Sequence, residues 1–273
     1  MNHRAAIILL NSGLLMLAYI SLVPVIWMVS ASFMLPGEAS SVPIHFFPAS
    51  PTLEHYRVLT ERMHIGKYFL NSFIIASAVT LISLLFNSMA GFAFAKYNFR
   101  GRDTLFRFLL GGMIVPAQVT MLPLFLFLKT MGFVNTYVGA IIPGLASIFG
   151  IFLIRQFTTS IPDSLIEAAR MDGASDFKIY RSVILPLCRP ILLTLALFTF
   201  MGTWNDFMWP LIIMTDNANY TLPVAIANLK GEHLLDLELM MAGSVITILP
   251  VLILFLVFQR HYVRGIMVGG VKE

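Results

Sequence analysis

Six long apolar stretches, residues 7–29, 69–95, 108–128, 138–157, 191–213 and 242–258, set the terms on which this chain can fold. At a rise of about 1.5 Å per residue, about 20 apolar residues cross the hydrocarbon of a bilayer. Inside lipid the backbone must satisfy its own N–H and C=O groups, which favours helices. The expected fold class is therefore all-α, a polytopic membrane protein with six transmembrane helices. Hydrophobic residues make up 58% of the chain and charged residues only 12%, against roughly 45–50% apolar residues in an average soluble domain. Arg4 ahead of the first stretch imitates a signal peptide, but the run is too long for one and has no early small-residue cleavage site. A retained anchor is expected.

The basic residues fix the expected orientation. With the N-terminus inside, thirteen of the 18 Lys and Arg residues fall on inner segments, clustered at 96–107, 155–189 and 260–272. This bias places both termini in the cytoplasm. It also accounts for the net charge of +4 without nucleic acid, because these residues border spans rather than form a patch with interleaved aromatics. Cys188 is the single cysteine, which excludes an internal disulfide and reads as a small buried hydrophobe. The six histidines are scattered over tails and outer loops without metal-ligand spacing and read as solvated surface residues. No phosphate-binding loop is present: Gly66-Lys67-Tyr68 lacks the glycine loop and the hydroxyl residue that such a cradle needs. No cofactor or metal is expected in this chain, and it is not expected to be an enzyme. A membrane-embedded enzyme would need a cluster of His, Asp, Glu or Ser within the spans, where Asp206 stands nearly alone.

Residues 1–273 read as one membrane domain, interrupted at 158–190 by a polar island. Ile161-Pro162 opens a helix there, with Asp163 near the positive end of its dipole. Gly173 is placed to close that helix in a left-handed conformation. Ser175 then caps a second short helix on which Phe177, Tyr180, Val183 and Ile184 recur at three- and four-residue spacing. Leu185-Pro186 and Pro190 break the path back into the membrane. The product is a helix, turn, helix elbow. One reading makes it an interfacial amphipathic segment in which Glu167 and Arg170 form a surface pair. The other makes it a docking element: Ala168, Ala169, Gly173 and Ala174 permit close approach, and Glu167 and Asp172 project charge toward a partner's Arg or Lys.

The strings Glu167-Ala168-Ala169, Asp172-Gly173-Ala174 and Leu185-Pro186 resemble the EAA loop of binding-protein-dependent ABC importer permeases. Asn71-Ser72-Phe73, Gly91 to Ala95, Leu122 to Phe125, Trp204 to Leu211 and Thr221 to Val224 resemble the carbohydrate branch of that family, the maltose and glycerol-phosphate type. Tyr180 stands where the family usually has Phe. The resemblance implies a type I importer permease whose 158–190 loop is the cytoplasmic coupling helix, with Glu167, Ala168, Ala169, Asp172, Gly173 and Ala174 at the ATPase contact. It implies a second homologous permease, two copies of an ABC ATPase that bind ATP and Mg, and an external solute-binding protein that delivers a sugar or sugar-like solute. It also implies an inner-membrane location. The segment from Arg264 to Glu273, with three glycines, is short and flexible enough to touch the ATPases as well.

Two segments are candidates for the solute path. Ser72, Ala76, Thr80, Ser83, Asn87 and Gly91 make one small, polar face on the second span; helix packing is the favoured reading and pore lining the alternative. On the fifth span, Thr199, Gly202, Thr203 and Asp206 share a face that should look inward, because an ionisable group in a bilayer needs a cavity or a partner. Trp204 and Asn205 lie beside it, and a structural role for Asn205 and Asp206 is preferred to solute contact. Trp209 is expected in the outer aromatic belt. A secondary transporter is the main rival, but no internal repeats or broken midplane helices are evident in the sequence.

Overall fold

The computed structural model describes residues 3–232 and 236–270. Its elements are α-helices, short 3-10 turns and two π turns, with no strand among the described residues. In chain order the helices are α1 (His3–Ala31), α2 (Glu54–Arg57), α3 (Ile65–Lys96), α4 (Arg102–Gly111), α5 (Ala117–Thr130), α6 (Tyr137–Ile141) and α7 (Ile148–Thr159). They are followed by α8 (Asp163–Met171), α9 (Asp176–Ile179), α10 (Leu185–Leu187), α11 (Arg189–Trp204), α12 (Met208–Ile213), α13 (Leu222–Glu232) and α14 (Leu237–Gly270).

Only three of the expected spans are unbroken: Leu9–Ala31, Ile65–Lys96 and Leu237–Phe258. The third and fourth stretches are helix pairs: Arg102–Ile114 and Ala117–Thr130 meet at 101°, and Tyr137–Gly144 and Ile148–Thr159 at 42°. Ahead of the fifth, the elbow segment Asp176–Leu187 meets Arg189–Trp204 at 79°, where Leu185-Pro186 and Pro190 were expected to break the path. Proline explains the first break: the Pro116 ring clashes with helical geometry at Val115, which is extended at φ −76°, ψ 118°. The fifth stretch, expected to be continuous over 191–213, stops at Trp204 and restarts at Met208. The flexible tail expected from Arg264 is also corrected: helix α14 continues to Gly270, and residues 271–273 lie outside the described set.

The chain divides into two compact units, Met1–Lys67 with Leu222–Pro250, and Tyr68–Thr221 with Val251–Glu273. In the first, α1 exposes Leu9, Leu10, Leu14, Leu15, Met16 and Leu17, a surface suited to hydrocarbon rather than water. Its last turn packs Ala31 and Trp27 with Met34, Ala39, Leu237 and Met241. The buried Glu238 carboxylate accepts the Ala39 N–H at 2.7 Å and so fixes the loop after α1 to the start of α14. In that loop the N–H groups of Ala49 and Leu35 donate to Glu38 and hold its carboxyl below the usual carboxylate range. His55 departs from the expected surface location: it is 2% exposed, with Nε2 at 2.8 Å from the Met34 carbonyl and Nδ1 at 3.8 Å from Asp236. His55, in the short helix α2, becomes buried because the Met34 carbonyl and Asp236, just before α14, offer its ring two polar partners.

In the second unit, α3 is the axis. Its polar face is packed, with Ser72, Ala76, Ser83 and Asn87 all buried. At Gly91 the two helices pack closely: a Cβ there would lie 2.6 Å from Ile154 Cγ2 and 3.0 Å from the Arg155 nitrogen. Near one end of α3, Ile75 and Val79 join Leu128, Ala140, Trp209, Ile213 and Met214 in one core. Phe92 joins Ile154, Ile166, Ile179, Tyr180, Ile184 and Leu195 in another. Cys188 is buried in this second core beside Thr158, as a small hydrophobe would be.

Candidate functional site: the elbow at 158–190 and the break at 205–207

The elbow is built by local chemistry. Pro162 (φ −59°, ψ 135°) precedes α8, and Asp163 and Arg170 match the two ends of its dipole. The helix closes in a Schellman motif: Gly173 takes φ +75°, its N–H reaches the Arg170 carbonyl at 2.9 Å, and the Ala174 N–H reaches the Ala169 carbonyl at 2.9 Å. Ser175 Oγ then accepts from the Lys178 N–H and starts α9. A π turn, Tyr180–Ile184, follows α9 and leads into α10.

The two faces of the elbow differ. Ile166, Ile179, Tyr180 and Ile184 are buried in the unit's own core, with Ala169 and Ala174 half-buried against it. Leu165, Met171 and Phe177 are 45%, 88% and 65% exposed. Glu167, Ala168, Asp172 and Gly173 lie on the exposed side with them. The expected Glu167–Arg170 pair does not form: Arg170 turns to Asp176 at 3.3 Å, linking α8 to α9 across the turn. Glu167 and Asp172 make no ion pair with any described residue.

The elbow is fastened to the end of α3, an arrangement the sequence did not reveal. Lys96 Nζ donates to the Ile161 carbonyl at 2.5 Å and to Asp163 Oδ1 at 2.6 Å. The Tyr180 hydroxyl meets Ser88 Oγ at 2.7 Å, which Phe at this position would not do. Phe92 packs between the rings of Tyr180 and Tyr97, with centroids at 5.9 and 5.2 Å. Burial, and then the Asp176 carboxylate beside it, raises the Tyr97 phenol above its usual range. In sequence Lys96 was one basic residue among many at a span end. Its single available signal was its place as the last residue of the longest proline-free apolar helix.

The candidate path residues do not converge. Asn87 Nδ2 donates to Ser83 Oγ at 2.8 Å, and its Oδ1 accepts the Ser147 N–H at 3.0 Å, which ties α3 to the start of α7. Trp204 is 1% exposed and stacks on Phe200 at 5.8 Å and edge-on to Phe69 at 5.3 Å. Asn205 is exposed and donates to the Met201 carbonyl, capping the end of α11. Asp206 is half-buried and accepts from the Trp209 N–H at 3.4 Å, at the start of α12. Gly202 is exposed, and Thr199 and Thr203 are half-buried, so the small polar face of α11 stays open in this chain. Trp209 is not a belt residue. It is 6% exposed, and its indole N–H donates to the Gly139 carbonyl at 3.1 Å, because the break before α12 turns it into the core. Asp206→Ala should therefore fray α12 and lower the thermal stability of the protein by about 1 kcal/mol whatever solute is present. A thermal melt identical to the wild type, with uptake lost, would assign Asp206 to solute contact instead.

Residues 87–268 match the family described as the binding-protein-dependent transport system inner membrane component. The arabinooligosaccharides transport system permease protein AraQ of Halalkalibacterium halodurans is 36% identical over 97% of this chain and 96% of its own. The trehalose/maltose transport system permease protein MalG of Thermococcus litoralis is 36% identical over 97% and 96% respectively. Among solved structures, a bacterial ABC transporter involved in the import of the acidic polysaccharide alginate superposes with a TM-score of 0.83. It is 25% identical, over 96% of this chain and 98% of that one.

Proposed function

Because the chain belongs to the binding-protein-dependent transport system inner membrane component family, we propose that it is the permease subunit of an ATP-driven importer for a sugar or sugar-like solute. The observation that carries this reading is the elbow: one face is locked into the protein's own core while the opposite face offers Leu165, Glu167, Met171, Asp172 and Phe177 to a partner. Exposed apolar side chains beside unpaired carboxylates suit a cleft with an apolar floor and basic rim, here on an ABC ATPase. Two ATPase copies bind ATP and Mg. A second homologous permease completes the path, and an external binding protein delivers the solute. The basic residues at 96–107 and 155–189 support a cytoplasmic position for the elbow and both termini.

The names of the relatives support carbohydrate cargo. The open face of α11, with Thr199, Gly202 and Thr203, and the break beyond it, with Asn205 and Asp206, supply small polar groups for one wall of the path. Asn87 and Trp204 hold the helices that carry it. The secondary-transporter alternative has no support in the family match, and the broken helices that would have favoured it occur here in a permease of this family.

The test is reconstitution. Purified alone, the chain should not hydrolyse ATP. Assembled in vesicles with a second permease and the ATPase, it should consume ATP and accumulate labelled oligosaccharide only when the loaded binding protein is supplied. Uptake driven by an ion gradient without ATP would overturn the proposal.

A further inference from the structure

Resting on the reading of the elbow as the ATPase contact, we propose that Lys96 is a positioning residue that makes the elbow and α3 move as one body. Displacement of α8 is then delivered along α3 to the far side of the same unit. The Lys96 side chain is only 6% exposed, whereas its partner Asp163 is 74% exposed. A cation withdrawn from solvent is held by whatever acceptors the protein supplies, and here they are the Ile161 carbonyl and the Asp163 carboxylate. Both stand at the opening of α8, on either side of Pro162, whose ring stiffens the connection between them.

A second polar fastening adds to the apolar packing of the elbow's inner face. It lies two turns back on α3, about 12 Å away, where Ser88 meets the Tyr180 hydroxyl beyond α9. With both in place the elbow is tied to α3 at each of its ends. Helix α3 is 32 residues long with no proline, so it transmits displacement over its length of about 48 Å. Some 25 residues before Lys96, about 38 Å along the helix, Asn71 accepts from the Tyr137 hydroxyl at 2.6 Å. Its amide donates to the Ala218 and Tyr220 carbonyls at 3.1 and 2.9 Å. A motion imposed at 161–163 thus has a continuous path of polar contacts and rigid helix to the 218–220 segment.

The experiment uses the complete complex in vesicles and reads two ratios, ATP turnover with and without loaded binding protein, and ATP consumed per sugar imported. Lys96→Met keeps the length of the side chain and removes its charge. It should reduce binding-protein stimulation about tenfold and raise ATP per sugar in proportion, while Lys96→Arg restores at least half of the coupling. Asp163→Asn, at an exposed position, should change coupling only about twofold. Should Lys96→Met fail to assemble, the pair Ser88→Ala with Tyr180→Phe removes the other fastening without touching a charge and should uncouple in the same way. An assembled Lys96→Met complex, or an assembled double variant, with the wild-type ratios overturns the proposal, as does failure of Lys96→Arg to rescue. Glu167→Lys in the same vesicles separates the two readings. If it transports normally, the elbow is not the ATPase contact. If it uncouples while Lys96→Met does not, only the role of Lys96 is lost.

Discussion

Glu167→Lys and Gly173→Val should each leave a permease that inserts into the membrane but captures its ATPase poorly, with import falling at least tenfold. Glu167 is exposed and without an ion-pair partner among the described residues, so reversing its charge removes nothing from the protein's own fold. Any loss must arise at a partner's surface, where a charge-assisted contact becomes a like-charge encounter worth about 1.5–3 kcal/mol, or roughly tenfold or more in affinity. Gly173 acts differently. At φ +75° a β-branched residue is strained by about 1–2 kcal/mol, although a Cβ there meets no other atom of this chain within 4 Å. The Schellman closure loosens, and the added methyl groups stand where a partner backbone would approach. Co-purification of the ATPase, measured beside uptake, checks both variants. Normal capture and uptake by both would reduce the elbow to a surface helix.

Gly91→Val should be strongly destabilising, costing about 3 kcal/mol. The new Cβ would press on Ile154 and on the Arg155 backbone nitrogen, and a backbone atom of a packed helix cannot rotate away as a side chain can. Helix α7 would have to separate from α3, breaking the neighbouring bonds between Asn87 and Ser147. Fluorescence-detected gel filtration of the solubilised protein should show aggregation or a strongly lowered melting temperature. A monodisperse protein with an unchanged melt would show that α3 and α7 can part at that point without penalty.

Much of this protein was legible in the chain because its strongest signals are local. Hydropathy runs of about 20 residues report membrane crossing irrespective of what each helix touches, and the unbroken spans α1 and α3 lie close to where those runs end. The elbow was equally readable. Proline before a helix, glycine at its close and serine at the next start act on dihedral angles and N–H groups within a few residues. The chemistry of Gly173, Ser175 and Pro162 is fulfilled without help from distant parts of the chain.

Long-range pairing was not legible. Nothing in the order of residues says that Arg170 prefers Asp176 to Glu167, that His55 turns inward to the Met34 carbonyl, or that Trp209 leaves the membrane interface to reach Gly139. Each outcome depends on which acceptor the folded chain brings within about 3 Å, and a polar group shielded from solvent takes the partner that is present. The breaks in the third, fourth and fifth stretches escaped for a related reason, since apolarity measures the solvent a segment prefers and says little about whether it is straight. Lys96 is the clearest case. By sequence it was one more basic residue at the inner end of a span, a position set by membrane charge asymmetry. Only the tertiary structure, by carrying residues 161–163 to the end of α3 and sealing the ammonium between a carbonyl and a carboxylate, turned that charge into a joint.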